Sequence, residues 1–227
     1  MTVNVVGVVC ALASEARHLG PADGTLVRVS GMGMAAATRC ARSLLDEGAT
    51  ALVSWGMAGG LDPRLTPGTI FLPDTVISLS GDALETSGSW RARLAAAVAA
   101  LHPVAKGRLL TSARAVGALS EKTTLFHQTG ALAVDMESAA VADVAHSQQL
   151  PFIAVRVIVD GAADALPRAV TAAADSEGHL QIWRLLGALV RTPGELGPLL
   201  RLAGRYRAAN RSLAAVARAG VGPVGGA

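Results

Sequence analysis

Three carboxylates stand where apolar runs of this chain give way to turns. Glu15 follows VNVVGVVCAL, Glu137 follows the run ALAV within ALAVDMESAAVADVAHS, and Asp160 ends PFIAVRVIV. In open α/β sheets ligands bind beyond the carboxyl ends of the strands, where both Glu137 and Asp160 sit. An ionised carboxylate has two acceptor oxygens, which suits Glu137 to a pair of hydroxyls such as a ribose diol. Asp160 stands out because it ends a nearly all-apolar strand. Plainer readings stand beside these. Glu15 and Glu137 fit first-turn carboxylates favoured by a helix dipole, and Asp160 fits a turn-forming Asp before Gly161.

The elements that must position them follow from patterning. VNVVGVVCAL reads as a buried parallel strand. TLVRVSGMGMAAATRCARSLLDEG reads as strand, glycine turn and helix. Gly31, Gly33 and the alanines at 35 and 36 resemble a dinucleotide fingerprint. The next strand, ATALVSW, ends in Ser54 and Trp55 rather than the required acid, which argues against a dinucleotide site. The amides of Gly31 and Gly33 at a helix start remain anion candidates. GMAGGLDP follows, either as a plain strand-to-loop turn or as a stretch whose glycines let backbone approach a ligand. PGTIFLPDTVISLSG reads as a hairpin-like strand region, SWRARLAAAVAALHP as a helix, GRLLTSARAV as a strand and 120–128 as a helix. Met136, Ala140 and Val144 recur every four residues and predict one helix face against the sheet. PFIAVRVIV then closes the set as a second buried strand.

Bulk properties narrow the class. With 227 residues, 51% hydrophobic and 16% charged, the chain can bury one sizeable α/β core and is not disordered. Two cysteines, Cys10 and Cys40, give neither a disulfide scaffold nor a metal spacing. A reducing, cytoplasmic setting is expected. No metal motif or P-loop lysine occurs, so no cofactor is expected. Residues 168–227 carry eight arginines against three acids, a net +5, whereas residues 1–167 have twelve basic and fourteen acidic residues, a net −2. We therefore expect an α/β domain over 1–167, a basic amphipathic helical extension over 168–220 and a disordered tail over 221–227. The extension reads as two or three helices broken at Thr192–Pro193 and near Pro198. It suits either packing on the body or docking through 180–218 on anionic lipid at the inner membrane face. Nucleic acid is not expected, because the basic segment lacks an aromatic stacking platform.

Five segments, GVVCALASEA, SGMGMAA, SWGMAGGLDPRLTPGTI, AVDMESAAVA and VRVIVDGAAD, resemble in order the purine nucleoside phosphorylase and methylthioadenosine/S-adenosylhomocysteine nucleosidase family. The resemblance covers residues 3 to about 165. It implies a three-layer α/β fold, a mixed twisted sheet flanked by helices, and cleavage of a purine N-glycosidic bond. By the same resemblance Asp160 protonates the purine at N7, Glu137 beside Met136 holds the ribose hydroxyls, and Met57, Ala58 and Gly59 line the sugar side. Glu15 matches the carboxylate that positions an attacking water. Such a set favours a transition state with positive charge on the ribose and negative charge on the base.

Departures from the pattern bear on nucleophile and substrate. Ser54 stands where the phosphorylases of the family place an arginine, which leans toward water. Arg17 and the amides of Gly31 to Gly33 remain the phosphate candidates, with phosphate a candidate co-substrate. Ala115 or Val116 stands where the usual aromatic purine stacker lies, and Val159 where a serine often precedes the acid. The tail segment LLGALVRTPGELGPLLRLAGRYRAANRSL resembles the C-terminal extension of the hopanoid-associated branch of the family. That resemblance implies an adenosyl-lipid substrate, adenosylhopane, from which adenine is released. The alternatives are a soluble nucleosidase for methylthioadenosine or S-adenosylhomocysteine, and a non-catalytic nucleoside- or lipid-binding protein. A homo-oligomer, a dimer first, is expected.

Overall fold

Strands too apolar to face water on either side run through the centre of the molecule. The structure, a computed structural model, describes residues 5–20, 24–78, 81–100, 102–165 and 196–222. Strand β1 (Val6–Cys10) is buried along its length and lies between β2 (Thr25–Val29) and β3 (Ala51–Gly60), parallel to both. On the other side of β3 runs β10 (Phe152–Asp160), again parallel. The end of β3 also pairs with β9 (Ala133–Asp135), antiparallel. From β9 the sheet continues through β8 (Arg108–Thr111) and β5 (Thr75–Ser78), both parallel, to β6 (Ala83–Glu85), antiparallel. Beyond β10 lie β4 (Ile70–Phe71), antiparallel to it, and β7 (Val104–Ala105). The result is a mixed sheet of ten strands among the described residues.

Helices cover both faces. On one side pack α2 (Met34–Asp46) and α5 (Ser138–Ser147), and on the other α3 (Gly88–Val98) and α6 (Leu196–Ala219). Along β10, Phe152, Ala154 and Ile158 join the first layer, while Ile153, Val155 and Val157 meet Trp90, Leu94, Leu213 and Val216 in the second. Both faces being buried explains why these strands read as continuous apolar runs rather than alternating ones. This is the expected three-layer arrangement.

Several expectations are corrected. GMAGG is not a turn: Gly56 to Gly60 continue β3, because β10 and β9 supply ladder partners on both sides. The hairpin lies between β5 and β6, and β4 pairs elsewhere. Met136 precedes α5, which begins at Ser138; Ala139, Ala140, Val141, Ala142, Val144 and Ala145 are all buried. Small residues allow this helix to lie closely against α2 and the sheet at once. Among the described residues the helix runs unbroken through Pro198, which sits in the first turn of α6, where the missing amide costs nothing. The expected break at Thr192–Pro193 falls outside the described residues. Helix α6 buries Ala209, Leu213 and Val216 on the body and leaves Arg201, Arg207, Arg211 and Arg218 exposed. Val221 is buried and its carbonyl accepts the Trp90 indole N–H at 3.1 Å, and residues 223–227 of the expected tail lie outside the described residues. No helix among the described residues is long and apolar enough to cross a membrane.

Candidate active site

Glu15, Glu137 and Asp160 come together in one cavity of about 190 Å³ at the ends of β1, β3, β9 and β10. Met57, Ala58 and Gly59 form its floor, and Met32, Met136, Val116 and Val159 are its apolar walls. Ala115 and Val116 both line it, with Arg114 beside them. Every residue expected at the substrate lines this cavity.

Glu15 lies in α1 (Ala13–Ala16), a single turn after β1, and is buried. Its Oε2 accepts the Leu12 amide at 3.0 Å and its Oε1 the Met57 amide at 3.0 Å. A Cβ on Gly56 would lie 2.7 Å from Oε1, so only glycine lets β3 pass this close. Burial pushes the Glu15 carboxyl above its ordinary value, against Arg156 and the two amides.

Glu137 opens α5, with Oε1 accepting the Gly33 amide at 2.9 Å. Burial first, then the neighbouring Asp135, push it up to about 7. Asp135 itself points into the protein. It accepts from Thr111 Oγ1 at 2.7 Å, from the Ser138 amide at 3.1 Å and from Arg156 Nε at 2.8 Å. Arg156, in the middle of β10, gives its remaining reach to Ser54 Oγ at 2.7 Å, and Ser138 Oγ donates to the same hydroxyl at 3.2 Å. Burial opposes its charge, but Asp135, Glu137 and Glu15 outweigh that and hold the guanidinium above its ordinary value. One cation thus stands among three carboxylates.

Asp160 reaches the cavity through an irregularity. Ile158 pairs with Ala58 but Asp160 with Gly59, so Val159 is an extra residue on β10. Such a bulge re-aims the side chains that follow. Lys122, wholly buried in the first turn of α4 (Leu119–Thr129), donates to Asp160 Oδ2 and to the carbonyls of Gly161 at 2.8 Å and Asp164 at 2.9 Å. Burial raises the Asp160 pKa and Lys122 draws it back down; the net direction is upward.

The family model of the phosphorylase superfamily matches residues 22–190. The chain belongs to the phosphorylase superfamily. It is an enzyme of the nucleoside-cleaving kind, as the resemblance of the five segments implied. Among solved structures, the methylthioadenosine/S-adenosylhomocysteine nucleosidase of Neisseria meningitidis is 17% identical, with 96% of this chain and 98% of that one covered at a TM-score of 0.72. A nucleosidase of the same name from Helicobacter pylori is 22% identical over 71% and 87% of the two chains, at 0.65. The futalosine hydrolase of Helicobacter pylori is 19% identical over 94% and 97%, at 0.67. These likenesses show the shared fold.

Within that fold the anion candidates fare unevenly. The Gly33 amide is already taken by Glu137, and Gly31 lines an adjoining cleft of about 420 Å³ with Arg39 rather than the cavity itself. Arg17 is exposed and turns to Asn210 Oδ1 of α6 at 3.2 Å, away from the carboxylates. Ser54 is buried beneath the site in the Arg156 network. Three residues escaped the sequence reading: Arg156, Lys122 and Arg114. Arg156 had a visible signal, a lone charge inside an apolar strand. Lys122 had none, because SEK at a helix start reads as ordinary surface.

Proposed function

We propose that this enzyme hydrolyses the N-glycosidic bond of a 5′-substituted adenosine and releases adenine. The observation that carries the reading is the one cavity that holds Asp160, beside Gly59 of β3, together with Glu15, beside Gly56, and Glu137. As the C1′–N9 bond breaks, its electron pair passes to the purine, and Asp160 delivers a proton to N7. Water adds its oxygen to C1′ and yields a proton to Glu15. Burial raises both carboxyls, which favours a proton held on Asp160 before reaction and accepted by Glu15 during it. Glu137 accepts the ribose hydroxyls, and the carboxylates near the sugar favour its developing positive charge. Water is favoured over phosphate because the Gly33 amide, Arg17 and Ser54 all have protein partners. Methylthioadenosine and S-adenosylhomocysteine, substrates named for the nucleosidases of the same fold, are the first candidates.

A second reading, an adenosyl-lipid of the adenosylhopane kind, is favoured by a different observation. Met32 and Met136 wall both the cavity and the adjoining cleft, and Met34 at that cleft is 37% exposed. An apolar 5′ substituent has a surface to follow there, and the exposed arginines of α6 suit an anionic lipid surface.

Adenine release from methylthioadenosine, S-adenosylhomocysteine and a series of 5′-alkyl adenosines, with and without phosphate, tests both. Free sugar without phosphate supports hydrolysis, whereas phosphate dependence with a sugar 1-phosphate product overturns it. Turnover rising with alkyl length supports the lipid reading, and turnover confined to the short thioethers removes it.

A further inference from the structure

Helix α4 is a surface helix with its residues placed against expectation. Leu119 is 44% exposed, whereas Lys122, one turn on, is 0% exposed and the helix's only fully buried residue. Burying an ammonium is strongly unfavourable unless it is paired and hydrogen-bonded. Here all three of its N–H donors are used, on Asp160 Oδ2 and on two carbonyls of the loop that follows β10. The same loop is tied further: Asp164 accepts the Gly161 amide at 2.9 Å and pairs with Arg205 of α6 at 2.6 Å. Among the described residues no donor meets Asp160 Oδ1, and Asp160 lines the cavity.

We propose that the leaving-group acid is a two-residue unit, in which Lys122 is the positioning residue that holds Asp160 for proton transfer to the base. This rests on the adenine-releasing reading given above. Lys122 clamps Oδ2 and so presents Oδ1 to the cavity. In its protonated form Asp160 gives its proton to purine N7 as the C1′–N9 electron pair moves onto the base, and solvent restores a proton to Asp160 after the base leaves. The charged groups around Asp160 are Lys122 of α4, Asp164 of the following loop and Arg205 of α6.

The test compares Lys122→Met on two substrates: a 5′-substituted adenosine, which needs a proton at the base, and the matching 4-nitrophenyl riboside, whose leaving group needs none. The expected result is a fall in kcat of about 100-fold on the nucleoside and a change within about threefold on the nitrophenyl riboside. Equal losses, or no loss on either, overturn the proposal. Adding Lys122→Met to Asp160→Asn should cost little further, since the two act as one unit; independent, multiplying losses also overturn it. If thermal unfolding shows that Lys122→Met does not fold, Lys122→Gln is read on the same two substrates by the same criteria. A wild-type enzyme that frees no adenine from any of these nucleosides sinks the functional reading itself. An active wild type with an indifferent Lys122 sinks only this inference.

Discussion

Gly56 and Glu15 are in contact so close that a Cβ on the glycine would stand 2.7 Å from one carboxylate oxygen and 2.9 Å from the carboxyl carbon. The strand and the carboxylate therefore fix each other. Gly56→Ala should push Glu15 off the Met57 amide that orients it. A displacement of this order costs about 100-fold in turnover where a reacting group must be held in place. Steady-state kcat, measured with circular dichroism to confirm a retained fold, checks it; unchanged kcat would remove Glu15 from the mechanism.

Glu137 gives opposite pH trends for stability and binding. Its carboxyl titrates at about 7 in the folded protein, against about 4.3 in an unfolded chain. The folded state thus holds an extra proton between these values, and the stability this contributes is full below them and lost as pH rises through about 7. Ribose binding needs the ionised form, which alone accepts from both hydroxyls without donating. KM for the nucleoside should fall about tenfold from about pH 6 to about pH 8, and Glu137→Gln should flatten that profile. A flat wild-type profile would contradict the ribose role.

Arg156 is the cation common to Asp135, Glu15 and Glu137. Arg156→Met keeps much of the volume but leaves Asp135 buried with its charge unpaired. Removing one partner of a buried pair costs about 3–5 kcal/mol, and denaturant unfolding should show a loss of that order. The remaining carboxylates should hold protons more tightly, so the pH dependence of KM should move upward with it. Arg156→Met with wild-type stability would mean that solvent reaches Asp135 after all.

The parts of this protein that sequence disclosed are those written locally. The run from ALAV through α5 to VIVD carries its strand, helix and strand in one stretch of apolar pattern. Glu137 and Asp160 were visible because each breaks that pattern at a strand end. What stayed hidden depends on closure between distant segments. Lys122 meets Asp160 across 38 positions, and nothing in the local polarity of α4 distinguishes an inward lysine from a solvated one. GMAGG passed for a turn because glycine composition signals turns, whereas here it answers the crowding by Glu15 and a ladder on each side. The basic tail was legible as an amphipathic helix, but its apolar side turned out to face the sheet through Leu213 and Val216.

Strand β10 also sets a length. Arg156 and Asp160 lie opposite Gly56 and Gly59 across the bulge, a span of about 10 Å along the sheet. One lies among Asp135, Glu137 and Glu15 and the other pairs with Lys122, so in the proposed reaction the strand works as a ruler laid beside the substrate. Its gradations cannot be altered by side-chain rotation, and a one-residue insertion or deletion would turn the acid toward the other layer. Variation in what the enzyme accepts is therefore expected in the segments that only edge the ruler, 30–34 and 112–118. The distance between sugar and base chemistry stays constant among variants that keep β10.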